Sequence, residues 1–482
     1  MKKKLFIVLS TIILTLSACG SDSKEKTGVD SGFENGNQTN ENANNNQNTQ
    51  KEITFTISYE LDGGVNASAN PSSYVAGSTL SFANPSKTGY DFLGWFDNGG
   101  NQITGITPDT TGNLSLIAHW TASMNNLSVT SEDASKGTAT ITLGSGYSDE
   151  SITVVAKPAP GHRFDGWYNG NTKVSGDVTY TFTMPKDNYS LVARFIFDET
   201  LATSLGMIPV KSQDGKTIQY GLYPQKNVNN ASTLSALNKL SAPQSNGWYL
   251  YNDEYYAKVS ATPRNTYYKF DNGSTIVNGT TYWFKCEPIT WNVLSNNYGN
   301  YYLLSSILLD AHCYYRSQDV RIIQNYYVYP NDYEDSDIRS WLNNEFYNSA
   351  FGFNSAYILT TNVDNSAETT HSPDNHYWCN DTQDSVFLPS YQDYMNTSYG
   401  FENNADSSDL RKCKTTDWCR ARGIYYSNKI NQYYSPYWTR SPYRFYNDIY
   451  SAADIDSYGR LAASDVSFTG DGVRPAITLK IS

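Results

Sequence analysis

The chain has 482 residues, enough for several domains. Its formal net charge of -12 excludes the basic footprint of a nucleic-acid binder and sets the chain against anionic lipid headgroups. Charged residues make up only 17% while tyrosines number 40, so the polarity is largely uncharged; this suits an all-β exported protein better than a cytosolic helical enzyme.

Lys2, Lys3 and Lys4 precede an apolar run over 5–16, then Ser17, Ala18 and Cys19. A positive start, a short apolar run and small residues form a secretory signal, too short to span a bilayer in the mature protein. The ending Leu16-Ser17-Ala18-Cys19 resembles the bacterial lipobox. That resemblance implies cleavage before Cys19, a diacylglyceryl group on its sulfur and a place in the cell envelope, lipid-anchored and surface-exposed. An ordinary cleaved signal with a chance cysteine is the alternative. Residues 1–19 are therefore the signal and 20–51 an Asn/Gln-rich tether. With no apolar pattern to offset ordering entropy, the tether behaves as a flexible coil with an average reach of roughly 30 Å.

Two related units follow, over 52–122 and 125–197. In the first, Ile53, Phe55, Ile57, Tyr59 and Leu61 alternate with polar residues, which predicts a half-buried strand, and Asp62-Gly63-Gly64 breaks it. Gly89-Tyr90-Asp91-Phe92-Leu93-Gly94-Trp95 in the first unit answers Gly161-His162-Arg163-Phe164-Asp165-Gly166-Trp167 in the second, an internal repeat of domain size. Asp62-Gly63-Gly64, the Pro85 to Trp95 block and Leu116-x-Ala118-x-Trp120 resemble the internalin-type B repeat, also called the Listeria–Bacteroides repeat. The second unit resembles its divergent relative. The resemblance implies small β-grasp-like domains used in tandem on bacterial surface proteins. Units of this size have small cores, so Trp95, Trp120 and Trp167 are expected as core anchors and His119 and His162 as solvent-facing residues.

The remaining region, 207–482, is larger. Residues 221–225 read as a turn after a short strand. Ser232 is placed as the cap of a helix carrying Leu234, Leu237 and Leu240 on one side. Residues 282–294 read as two strands broken at Pro288, and 301–309 as another strand. A helix is expected after Ser336, with Asp337 in its first turn, Ile338, Trp341, Leu342 and Phe346 at helical spacing, and Gly352 at its end. Ser390-x-x-Asp393 predicts a capping box. Strands close the chain at 437–442 and 472–481, with Ile477, Leu479 and Ile481 inward.

Tyr223-Pro-Gln225, Glu287-Pro-Ile-x-Trp-x-Val-Leu294, Asp337-Ile-Arg-x-Trp-Leu-Asn343, Val386-Phe-Leu-Pro-Ser390, Trp438-x-Arg-Ser-Pro442 and Gly472-Val-Arg-Pro-Ala476 resemble a bacterial domain of unknown function, family 6273. That family implies no activity. The last two blocks more weakly resemble C-type-lectin-like and formylglycine-generating-enzyme-like folds, which bring both ends of a domain into one sheet and display long loops. The expected fold class is mainly β with minor α: two small β-grasp-like repeat domains, then a larger α+β C-type-lectin-like domain.

Candidates for chemistry are sparse. His371-x4-His376-x2-Cys379 holds metal-type ligands in a loop without a zinc-site spacing. His312 and Cys313 are neighbours that point to opposite faces of a strand. Asp332, Glu334, Asp335 and Asp337 read as helix capping plus a solvated loop, and Asp454-x-Asp456-Ser457-x-Gly459 as a hairpin turn more readily than a calcium loop. Arg440 and Arg474 are expected in structural roles. With Cys19 assigned to lipid, Cys286, Cys313, Cys379, Cys413 and Cys419 leave at least one unpaired thiol within the chain, and a local Cys413–Cys419 bridge stays open. No catalytic residue, metal or cofactor is assigned.

The segment over 443–458 has the composition of a binding loop, and Tyr443, Tyr446, Asn447, Tyr450, Asp454, Asp456 and Tyr458 are its candidate ligand contacts. The reading is a lipid-anchored surface protein whose C-terminal domain binds a glycan or protein ligand on another cell or host, with the membrane as partner through the lipid and no nucleic acid. A surface enzyme of formylglycine-generating-enzyme-like fold, a structural envelope protein and a retroelement-diversified binding protein are the alternatives.

Overall fold

A computed structural model describes residues 51–142, 145–244, 246–370, 378–426, 433–443 and 448–481. Strands dominate and helices are few and short, so the fold is mainly β with minor α. The described residues divide into two compact units. One comprises 51–58, 71–81 and 105–114; the other holds the rest.

In the smaller unit, Thr54 to Thr56 pair antiparallel with Ser73–Val75, and Leu80–Ser81 pairs with Gly105–Ile106. Tyr74 is buried, lies 5.4 Å from the Phe55 ring, and donates its hydroxyl to Gly112 O at 2.7 Å.

The larger unit begins with the rest of the first repeat. There Tyr90–Phe96 pairs antiparallel with residues 117–122, and the register shifts between Phe92 and Gly94. The second repeat shows the same shift between Phe164 and Gly166. This bulge accounts for the glycine before each tryptophan: a Cβ on Gly166 would sit 2.8 Å from Ser175 O. Trp95 and Trp167 are buried, their indole N–H groups donating to Ala83 O and Asp177 O. Trp120 is half-buried and edge-on to Phe92. His119 is exposed and stacks on Phe96, whereas His162 is half-buried against Pro160 O. Two sheets build the second repeat, the strands Tyr189–Phe197 and Met124–Ser131 running parallel in one of them. Val154 and Ala156 of one sheet pack on Trp167, Leu191 and Phe195 of the other.

The C-terminal region has two main sheets. The first orders Val210–Lys211, Thr217–Asn227, Thr281–Asn297, Asn300–Ser305, Ala476–Lys480 and Ile358–Leu359, so the first and last long strands of the region share one sheet. The second orders Asp310–Ala311, Gly472–Val473, Tyr437–Pro442, Ser451–Ile455 and Leu461–Asp465. One continuous core joins them, with Trp291, Leu303, Ile338, Phe346, Trp438 and Ile477 all buried in it.

Several elements differ from their sequence reading. Thr281–Asn297 is one strand that runs through Pro288. Its partner Thr217–Asn227 absorbs the disturbance with register shifts on both sides of Leu222, the residue opposite Pro288. The expected turn at 221–225 therefore lies inside that partner strand, where Gly221 at φ +74° leaves room for the Phe351 ring. The helix Ala231–Leu237 is capped by Asn230, which accepts from Thr233 N at 3.0 Å, and Ser232 sits in its first turn. The helix after Ser336 forms, with the Ser336 hydroxyl accepting from Arg339 N. It widens to a π-turn over Leu342–Phe346 before continuing as Tyr347–Phe351. Its apolar residues Ile338, Leu342, Phe346 and Ala350 recur every four positions. On an α-helix that spacing drifts about 40° per step, and one wider turn brings the stripe back toward the core.

Candidate binding surface

The candidate loop divides by environment. Tyr443 is half-buried and donates its N–H to Ser451 O at 3.1 Å. Tyr446 and Asn447 lie outside the described residues. Tyr450 and Tyr458 are exposed. Asp456 organises the hairpin turn: its carboxylate accepts from Tyr458 N at 2.8 Å and Arg460 N at 2.9 Å and pairs with the Arg460 guanidinium at 2.6 Å. Gly459 follows at φ +78°, pressed against Ser408 O. Asp454 is only 3% exposed and points into the domain, so it leaves the set of surface contacts. Its place on the strand Ser451–Ile455, buried from Ala452 onward and directly across from Trp438, is the cause.

A second element, not singled out in the sequence, rises beside this loop. Arg321–Ile323 and Tyr326–Val328 form a hairpin around Gln324 and Asn325, both at positive φ, as a tight two-residue turn requires. Ile322 faces Tyr327 and Ile323 faces Tyr326 across the ladder. Successive pairs point to opposite faces, so the tip is apolar on both. Ile322 is 67% exposed, Tyr327 70% and Tyr326 76%. A signal existed: Gln-Asn between two apolar pairs reads as a turn, but short apolar alternation is ordinarily read as a core strand.

The root of this hairpin is fixed to the candidate loop. Buried Asn331 donates its side-chain amide to Asp448 O at 3.1 Å and Ser451 O at 3.2 Å. Tyr315 N donates to Val466 O at 2.9 Å, and the Gln318 side chain donates to the Asp465 carboxylate. The Arg321 guanidinium lies 4.1 Å over the Tyr315 ring and donates to Asp335 O at 2.9 Å. Tyr450 and the hairpin thus belong to one end of the domain.

The other chemical candidates are structural where they are described. Arg440 donates to Leu388 O and Asp364 O and pairs with Asp393 at 2.9 Å; Arg474 donates to Ser305 O and the Tyr437 hydroxyl. The His312 ring meets the carbonyl of Cys313 and stacks on Trp341. Asp337 accepts from the backbone and guanidinium of Arg316. His371 and His376 lie outside the described residues. Cys286, Cys313, Cys379, Cys413 and Cys419 are all free thiols, so the Cys413–Cys419 bridge does not form; Cys413 donates to Ser306 O and Cys419 to Leu308 O. Burial pushes all five thiols up, Cys419 to about 12, which keeps them protonated rather than nucleophilic. Among the described residues no group of three or more His, Cys, Asp and Glu side chains is arranged to hold a metal ion. A cavity of about 480 Å³ beside Gln219, Gln225 and Cys286 has charged walls that are already paired, Lys226 with Glu287 and Lys285 with Glu254.

Comparison with known families places these elements. The chain carries two repeat domains and a domain of unknown function. Residues 55–119 match the Listeria-Bacteroides repeat domain and residues 127–197 the divergent InlB B-repeat domain. Residues 298–481 match the family described as domain of unknown function (DUF6273). The hairpin and the candidate loop both fall within that last span. The repeats are of the kind found on bacterial surface proteins. No curated protein and no solved structure matches the chain. Among the described residues no helix is long and apolar enough to cross a membrane.

Proposed function

We propose that this is a lipid-anchored bacterial surface protein whose C-terminal domain binds a protein ligand through the 321–328 hairpin and the adjoining Tyr450. The observation that carries the binding role is the hairpin tip, apolar on both faces and exposed on both. Isolated apolar residues are common on surfaces, but four large ones gathered on one projecting turn mark an interaction site. Their chemistry favours polypeptide over glycan. Sugars are held by aromatic faces together with dense hydrogen bonding, whereas Ile322 and Ile323 gain only by entering an apolar groove.

The rest of the chain fits display. Lys2 to Lys4, the apolar run over 5–16 and Cys19 support lipid attachment, and the Asn/Gln-rich stretch and repeats support a spacer role. The shared sheet of the first and last long strands is compatible with a C-type-lectin-like domain, and the small repeat cores with β-grasp-like units.

The test uses the full chain carrying Ile322→Asp and Tyr327→Asp, assayed for adhesion to host and neighbouring bacterial cells and on a glycan array. Exposed aromatic and aliphatic anchors dominate such interfaces, so cell binding falls roughly 30-fold or more with an unchanged melting temperature. Binding that survives the double substitution, or that tracks glycans alone, overturns the reading.

A further inference from the structure

Two carboxylates meet inside the second sheet of the C-terminal region. Asp454 lies on Ser451–Ile455, directly across from Trp438. Asp471 immediately precedes Gly472, which pairs with Tyr437 on the opposite side of the same central strand. The two side chains come within hydrogen-bonding reach of each other. Asp471 is 0% exposed.

The pair is short of donors. Asp454 Oδ2 accepts from the Ser464 hydroxyl at 2.7 Å. Apart from that contact with each other and with Ser464, Asp454 Oδ1 and both Asp471 oxygens receive no donor from the protein. Every neighbouring charge has other company. Asp456 is occupied by Arg460 at the hairpin turn. The Arg264 guanidinium stacks on Phe468 at 4.1 Å and passes beside Gly470 on the exposed side. Three carboxylate oxygens with no other protein donor in a packed interior call for a positive partner at that point.

We propose that Asp454, Asp471 and Ser464 are the protein ligands of one buried calcium ion. All the available donor atoms are hard oxygens, which suits calcium and not the nitrogen- and sulfur-seeking metals. Calcium also accepts irregular oxygen sets, including backbone carbonyls and waters, whereas magnesium requires a near-octahedral shell. The ion would tie residue 454 to residue 471 across the central strand. It would thereby brace the strand that carries Tyr450 at its entrance. The proposal stands on these carboxylate oxygens and is independent of what the hairpin binds.

The experiment uses the full chain at pH 7.5, in 2 mM calcium chloride or in 2 mM EGTA. Calcium raises the melting temperature by roughly 3–6 °C, and terbium placed in the site luminesces on excitation of the adjacent Trp438 until calcium displaces it. Asp471→Asn abolishes both responses. Should that variant fail to fold, Ser464→Ala carries the test: a weakened calcium response supports the site, and an unchanged one overturns it. Equal melting temperatures in calcium and EGTA for the wild-type chain overturn the proposal, the more so if acidification to pH 5.5 stabilises instead, since the pair would then share a proton.

Discussion

Asp332 shows how one buried acid sets a pH dependence. Burial is the main cause that pushes its carboxyl up to about 6, and the charges of Asp335 and Glu334 add to it. The folded value lies above the unfolded one of about 3.9, so folding favours the protonated form. That contribution is complete below about pH 4 and is lost as the pH rises through about 6. Asp332→Asn should therefore gain on the wild type at pH 7.5, on the order of 2 kcal/mol in urea unfolding, and gain nothing at pH 4. An equal difference at both values would rule this account out. At the same scale, the sequence correctly marked Arg440 and Arg474 as structural, because arginines beside Trp438 and Pro475 in apolar strands must satisfy their donors internally. It misplaced Asp454 because an acid among Tyr, Ser and Asn reads as surface, and only the pairing with Trp438 shows it turned inward.

Elements were legible where their signals are local. Ser390 and Asp393 form the reciprocal capping box, Ser390 N to Asp393 Oδ2 at 2.7 Å and Asp393 N to Ser390 Oγ at 3.0 Å. Ser336 and Gly352 likewise bound the helix that their chemistry predicts. Elements that rest on a distant partner were not legible. Pro288 stays within a strand whose partner Thr217–Asn227 shifts register on either side of the facing Leu222, and nothing near Pro288 in the sequence announces that. The turn at Gly459 offers a clean test of how tightly one element is held. Gly459 and Gly273 both have positive φ, at +78° and +84°. A Cβ on Gly459 would lie 2.0 Å from Ser408 O, whereas Gly273 has nothing within 4 Å. Gly273→Ala should cost about 1 kcal/mol for its backbone alone, and Gly459→Ala at least about twice that. Equal losses in equilibrium unfolding would show that Ser408 moves aside freely.

Across the larger unit, the second repeat is joined to the C-terminal region by specific contacts rather than by a bare linker. Arg163 pairs with Asp198 and, at 3.2 Å, with Asp253. Lys157 donates to Gln244 at 3.2 Å, and Gly161 lies against Met207 and Ala202. Arg163→Ala should therefore speed proteolytic cleavage around residues 198–209 several-fold. A cleavage rate equal to that of the wild type would show that Arg163 does not hold the junction. The overall order of repeats and large domain was readable because repeated Gly-Trp blocks and terminal strands recur with their spacing intact. The projecting hairpin was not, since apolar residues look alike in a core and on a tip until the surrounding chain is in place.

The five unbridged cysteines carry a consequence for where such a chain is able to mature. Cys286, Cys379, Cys413 and Cys419 are buried and Cys313 half-buried, all in a fold held without a cystine bridge. Folding would thus call on no thiol oxidase or disulfide isomerase, and the protein would keep its shape in anoxic, reductant-rich surroundings that dismantle cystine-stapled modules.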